Sequence, residues 1–296
     1  MRVAVVDIGS NTARLLVADV GADDAVATVD LQRSYLRLGA EIEHHGLIGP
    51  GKITEAASVA GAFADRARSL GAERLTVIVT APGRQAEAAE PLLRALRSAT
   101  RAHVHVLSAD QEGRLAYEGA LAHAGPLPEV VAVVDVGGGS TEIAVGTPLA
   151  GAAWVQSVDL GSLRLTRQLL RDDPPGRRAV DAARVAVGKA YSGIRPPTPD
   201  AALAVGGSAR AIAKIAGPVL DPGSLEELAG LLARRPAARA LREFGIGATR
   251  AETVLGGALL LAEASRLLGR PLELAAGGLR EGAALALAHE AAAEAA

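Results

Sequence analysis

With 22% charged and 49% hydrophobic side chains, the 296-residue chain has the balance of an ordinary soluble globular protein and is long enough for two domains with full cores. A net charge of −2 and an aromatic content of 2% argue against a general nucleic-acid binder, so no DNA partner is expected. No cysteine is present, so disulfides and thiolate metal sites are ruled out and any metal must be a hard cation on oxygen ligands.

Residues 3–7, 13–20 and 25–33 read as three short strands joined by Gly- and Asp-rich turns, an antiparallel meander. Asp7 interrupts the first apolar stretch at once, so the N-terminus does not read as a secretory signal. Over residues 52–70 the spacing becomes helical, with Ile53, Ala56, Ala60, Phe63, Ala67 and Leu70 on one stripe. A buried strand over 75–79 runs into Thr80-Ala81-Pro82-Gly83-Arg84. A helix over 86–98, a strand over 104–107 and a helix over 109–122 follow.

The opening pattern then returns: strands are expected over 131–135, 141–146 and 151–160, and a helix over 162–170. Two proline-rich stretches, 172–176 and 195–199, read as loops. A strand over 201–205 enters Gly206-Gly207-Ser208-Ala209-Arg210 and a helix. A strand over 272–275 enters Gly277-Gly278-Leu279-Arg280-Glu281-Gly282 and the last helix. The apolar run over 254–268 contains Glu263 and Arg266 and is too short for a bilayer span, so no membrane is expected and the cytoplasm is the default location.

The chain is an internal duplication. Val3-Ala4-Val5-Val6-Asp7 recurs unchanged as Val131-Ala132-Val133-Val134-Asp135, and a spacing of 128 residues matches one domain per copy. Ile8-Gly9-Ser10-Asn11-Thr12 follows the first copy and Val136-Gly137-Gly138-Gly139-Ser140-Thr141 the second. Each is a strand feeding a phosphate loop: glycine opens backbone N–H groups to a bulky anion, hydroxyl and amide side chains add neutral donors, and the aspartate can hold a hydrated divalent cation. No lysine follows the glycines, so the Walker pattern is absent, and the dinucleotide fingerprint is absent as well.

Asp7-Ile8-Gly9-Ser10-Asn11 together with Asp135-Val136-Gly137-Gly138-Gly139-Ser140-Thr141-Glu142 resembles the exopolyphosphatase and guanosine pentaphosphate phosphohydrolase family of the actin, sugar kinase and heat-shock ATPase superfamily. The resemblance continues through Arg37-Leu38-Gly39, residues 80–84 and 108–117, Leu160-Gly161-Ser162-Leu163-Arg164-Leu165-Thr166, residues 206–210 and residues 277–282. It implies an α/β fold of two ribonuclease-H-like lobes with the active site in the cleft, in a short form without extra helical domains. The lobes are expected over 1–124 and 125–280, with a last helix over 281–296 packing back onto the first. Family members are often dimers, so a homodimer is expected. The chain departs from the family at Pro82-Gly83, beside Arg84.

By the same resemblance Glu112 is the base that activates water. Asp135 and Glu142 lie seven residues apart across a glycine turn, so both carboxylates can reach one cation, with Asp7 contacting it through water. Oxygen ligation completed by water suits Mg2+, with Mn2+ or Ca2+ able to substitute in vitro. Amides and side chains over Gly9, Ser10 and Asn11 and over Gly137, Gly138, Gly139, Ser140 and Thr141 are expected to hold terminal phosphates. Gly206, Gly207 and Ser208 add a helix N-terminus facing the anion. Arg84, Arg14 and Arg280 are candidate clamps for the rest of the ligand. The expected activity is release of terminal phosphate from inorganic polyphosphate, with a preference for short chains. The alternative is the 5′-phosphate of guanosine pentaphosphate (pppGpp), and less favoured readings are an actin- or chaperone-like ATPase and a non-catalytic alarmone sensor.

Overall fold

A computed structural model describes residues 1–295, with side chains through 294, and divides the chain into two compact units. One comprises Met1–His123 with Leu279–Ala296, the other Ala124–Gly278. The first unit contains β1 (Arg2–Ile8), β2 (Thr12–Val20), β3 (Val26–Tyr35), α1 (Leu38–His45), α2 (Pro50–Ser69), β4 (Arg74–Val79), α3 (Ala81–Gln85), α4 (Glu90–Thr100), β5 (His103–Val106) and α5 (Ala109–Leu121). The second contains β6 (Val131–Val136), β7 (Thr141–Thr147), β8 (Gly151–Val158), α6 (Ser162–Leu169), α7 (Arg177–Tyr191), β9 (Ala201–Val205), α8 (Gly206–Ala216), β10 (Val219–Leu220), α9 (Pro222–Leu232), α10 (Ala237–Phe244), α11 (Ala248–Leu268) and β11 (Leu272–Leu274). The last helix, α12 (Leu279–Ala295), returns to the first unit.

The two sheets repeat one topology. In the first unit the order is β3-β2-β1-β4-β5, an antiparallel meander extended by two parallel strands. In the second it is β8-β7-β6-β9-β11 with β10 added at the edge. Even the irregularities correspond: the β2–β3 register shifts between Val17 and Ala18, and the β7–β8 register shifts between Val145 and Gly146, 128 residues later. A bulge kept in both copies twists the meander in the same way.

Both faces of the first sheet are covered, which is why β1 reads as a continuous apolar run. Ala4, Val6 and Ile8 pack towards Ala56 and Ala60 of α2 and Leu92 and Leu96 of α4, whereas Val3 and Val5 pack towards Ala283, Ala284 and Ala288 of α12. In the second unit Val134 and Val136 join a core centred on α11, whose residues from Val254 to Ala262 are all buried. That stretch is apolar all round because protein surrounds it. Among the described residues, no helix is long and apolar enough to cross a membrane.

Several helices differ from the sequence expectation. Residues 86–89 stay outside α4, which begins at Glu90 with Pro91 in its first turn, where the missing N–H is harmless. Proline is likewise accommodated at the start of α3, so Pro82-Gly83 lies in a short helix and not in a turn. α1 and α7 were not anticipated, although Val180, Ala183, Val187 and Tyr191 form a helical stripe on α7.

In the first unit α12 crosses α5 at close range. A Cβ on Gly282 would lie 1.9 Å from the Leu115 carbonyl oxygen and 3.1 Å from the Gly119 nitrogen, both backbone atoms that no rotamer change can move. Gly282→Ala must push the helices apart. A loss at or beyond the ~1–3 kcal/mol typical of overpacking is expected, read as a lowered urea midpoint with little change in slope.

Candidate active site

The two glycine turns are built alike. In each, the first glycine closes the turn with its own amide: Gly9 N–H donates to the Thr12 carbonyl and Gly137 N–H to that of Ser140, both at 3.0 Å. Those two amides therefore serve the turn. The carbonyls that follow are captured by the segment entering the next helix. Gly39 N–H takes the Ser10 carbonyl at 2.7 Å, and Leu36 and Arg37 N–H take that of Asn11 at 3.0 and 3.1 Å. Arg37 adopts φ 58° there, a left-handed conformation that is strained for a side-chain-bearing residue. In the second unit Ser162 N–H takes the Gly137 carbonyl at 3.0 Å, while Leu163 and Arg164 N–H take that of Gly138 at 3.0 and 3.1 Å.

Because a trans peptide directs its C=O and N–H in opposite senses, anchoring these carbonyls aims the next amides the other way. Gly138 and Gly139 in the second unit, and Asn11 in the first, thus turn their N–H groups away from the helices, the arrangement that cradles an anion. Ser10 Oγ is buried and makes no hydrogen bond within the protein, so it can donate to a ligand. Thr141 Oγ1 instead donates to the Leu160 carbonyl at 2.8 Å, and Ser140 is buried beside it. Gly161 makes the loop–helix contact possible: a Cβ there would lie 2.5 Å from the Gly138 carbonyl carbon.

Acidic residues occupy equivalent strand positions with opposite partners. Asp135 on β6 is directly across from Glu142 on β7, and Asp7 on β1 is directly across from Arg14 on β2, 128 residues before Glu142. Directly opposite residues have Cβ atoms ~4.5–5.5 Å apart, close enough for like charges to repel. The first unit matches an anion with a cation, whereas the second places two carboxylates together. Glu142 is 2% exposed, and Ser157 Oγ donates to its Oε1 at 2.9 Å. Asp135 lies against the N-terminus of α8, where Gly206 has φ +85° and a Cβ would come within 2.2 Å of Asp135 Oδ1. Gly206 is therefore glycine for two reasons, and the helix end favours the carboxylate it admits. Gly207 follows in the first turn of α8.

Two opposed carboxylates on adjacent strands are a donor set that fits a small hard cation taking its remaining ligands from water or substrate. Among the described residues, no group of three or more His, Cys, Asp or Glu surrounds a common point.

In the first unit, Glu112 is 7% exposed in the first turn of α5 and accepts from Arg84 Nη1 at 2.8 Å. Arg84 Nη1 also donates to the Leu107 carbonyl at 2.8 Å. The helix start is fixed by a capping box in which Ser108 accepts from Gln111 N–H and the Gln111 side chain accepts from Ser108 N–H. Gly83 makes room for this corner, since a Cβ would lie 2.8 Å from Val106 Cγ1. Arg280, in the first turn of α12, is only 12% exposed at its side chain and lies 3.8 Å from the Glu281 carboxylate.

The structure therefore brings Arg84 to Glu112 and Asp135 to Glu142, and places Asp7 opposite Arg14. The hydroxyl of Ser208 lies inside the second unit, accepting from Arg250 and donating to Ser162. Ser157 and Arg250 were not singled out from the sequence, and Ser162 and Gln111 entered only within longer stretches, without a role. Only Gln111 had a local signal there, the S-x-x-Q spacing of the capping box.

The sequence profile of the Ppx/GppA phosphatase family matches residues 16–291. Exopolyphosphatase 1 of Mycobacterium tuberculosis is 30% identical over 299 residues, covering 95% of this chain and 87% of that protein. The crystal structure of the Aquifex aeolicus Ppx/GppA family member superposes with a TM-score of 0.84 at 26% identity, covering 98% of both chains. An exopolyphosphatase from Cytophaga hutchinsonii shares the fold, with a TM-score of 0.80 at 20% identity. Mixed α/β with two sheets of repeated topology, the chain has the actin-like, ribonuclease-H-like fold and belongs to the Ppx/GppA phosphatase family.

Proposed function

We propose that this protein is an exopolyphosphatase, a hydrolase that removes the terminal phosphate of inorganic polyphosphate. The observation that carries the reading is the second glycine turn, whose Gly138 and Gly139 amides are aimed as anion donors beside the directly opposed Asp135–Glu142 pair. A doubly negative pair next to an anion loop is a donor set that a divalent cation would fit. Magnesium held by Asp135 and Glu142 would neutralise charge on the phosphoanhydride oxygens. The mycobacterial relatives, named exopolyphosphatases, support the choice of polyphosphate.

In this reading the amides of Gly138, Gly139 and Asn11 and the buried Ser10 hydroxyl hold phosphate oxygens. Glu112 accepts a proton from the attacking water as the new P–O bond forms and the bridging P–O bond breaks, releasing orthophosphate and a chain one phosphate shorter. Arg84 holds the Glu112 carboxylate in place and supplies positive charge beside it. Arg14 and Arg280 remain candidate contacts for more distant phosphates. A cytoplasmic location and a homodimer are part of the proposal, and light scattering checks the latter.

Glu112→Gln keeps the side-chain shape and removes its basicity, so kcat should fall at least ~10²-fold with KM little changed. Turnover near that of the wild type would remove Glu112 from the role of base.

Asp135→Asn and Glu142→Gln each replace a charged donor with a neutral one. The magnesium concentration for half-maximal rate should rise in both, with partial rescue at high metal. Wild-type hydrolysis that persists in a strong chelator would instead make the two carboxylates structural.

In a chain-length series the rate per enzyme should be greatest on short polyphosphates, because added phosphates strengthen binding only where further contacts exist to receive them. Affinity that climbs into chains of several hundred phosphates contradicts this preference. Inactivity on all of them, with rapid cleavage of pppGpp, replaces polyphosphate as the substrate.

A further inference from the structure

Ser162 and Ser208 are each 1% exposed, and neither hydroxyl reaches solvent. They stand in a line that begins at Arg250, in the first turn of α11, and ends on the glycine turn. Arg250 Nη1 donates to Ser208 Oγ at 3.2 Å, Ser208 Oγ donates to Ser162 Oγ at 3.3 Å, and Ser162 Oγ donates to the Gly137 carbonyl at 3.0 Å. The direction of the line is fixed at both ends. A guanidinium has only donors and a carbonyl only lone pairs, so each hydroxyl between them accepts once and donates once. From this geometry we infer that Arg250, Ser208 and Ser162 form a buried relay that holds the second phosphate loop in its working pose, making them positioning residues for the reaction proposed above.

The surrounding packing is shaped to keep the relay closed. A Cβ on Gly256 would lie 2.9 Å from both the Ser162 carbonyl oxygen and Thr166 Oγ1, and one on Gly257 would lie 3.2 Å from Ser208 Cβ. The paired glycines of α11 thus let α6 and α8 approach it closely enough for the two hydroxyls to meet. The Gly137 carbonyl, held by Ser162 through both N–H and Oγ, belongs to the peptide whose N–H is that of Gly138. Loss of the relay would release one of two restraints on that peptide's rotation and leave a buried donor unsatisfied. In the first unit the captured carbonyls are those of Ser10 and Asn11, one position further along the turn than Gly137 and Gly138, and backbone amides of Leu36, Arg37 and Gly39 hold them. The relay is a device of the second copy.

This inference rests on the exopolyphosphatase reading for its kinetic test and on none for its structural test. Ser162→Ala, Ser208→Ala, their double variant and Arg250→Lys would be compared with the wild type on tripolyphosphate. Because the three side chains act in series, each alanine variant should lower kcat/KM about 5- to 10-fold, one hydrogen bond's contribution, and the double variant should lose no more than either. Ser208→Thr keeps the hydroxyl and should recover most of the loss. In parallel, hydrogen exchange of the ligand-free proteins should speed up at residues 137–141 in the alanine and Arg250→Lys variants and stay unchanged at residues 9–12, which also verifies that each variant is folded. Multiplying losses in the double variant, a loss in Ser208→Ala alone, or unaltered exchange at residues 137–141 would each overturn the relay. Ser208 acting as a direct phosphate contact would give the second of these. A wild type inactive on polyphosphate would refute the substrate assignment, and the exchange measurement would still decide the relay.

Discussion

The capture of two loop carbonyls by the start of the next helix is the constraint on which the rest of the site depends. A glycine-rich turn left to itself samples many conformations, and its amides point nowhere in particular. Here Ser10 and Asn11 in one unit, and Gly137 and Gly138 in the other, have their carbonyls bonded to backbone amides at or just before a helix start, most of which the helix leaves without internal partners. One set of hydrogen bonds thereby satisfies the helix end and orients the turn. Selectivity for an anion is then a property of the backbone, set before any charged side chain is considered.

The duplication explains the likeness of the units and makes their differences in charge easy to read. Strand order, the meander bulge and the carbonyl capture are common to both copies, so they belong to the fold. The charges differ. Where the first copy places Arg14 across from Asp7, the second places Glu142 across from Asp135, turning a balanced pair into a doubly negative one. That single change makes the second unit a fitting holder of a cation, and the first carries the Arg84–Glu112 pair.

Much of this was legible from the residues. The repeated Val-Ala-Val-Val-Asp runs could be read because strands covered on both faces are continuously apolar, and their glycine turns marked the site. The facing of Asp135 and Glu142 followed from their spacing across a tight turn. What escaped was tertiary. Nothing near Ser162 or Ser208 says that they meet, since 46 residues and a helix crossing separate them. Arg84 and Glu112 were each assigned a role but not to each other, because their approach depends on how β4, α3 and α5 come together. Thr141 and Ser208 looked like ligand donors because a small hydroxyl after a strand can serve a phosphate or a neighbouring backbone equally well. Only the surrounding fold decides which.

In the proposed reaction water attacks the terminal phosphate of a polyphosphate chain. Its most direct test is hydrolysis of a short polyphosphate of defined length by the wild-type protein in 18O-labelled water with magnesium, following the released phosphate and the remaining chain together. Orthophosphate should be the first product, carrying the label, and the remaining chain should be one unit shorter. Absence of phosphate release from polyphosphate of any length, or cleavage within the chain in place of its end, would contradict it.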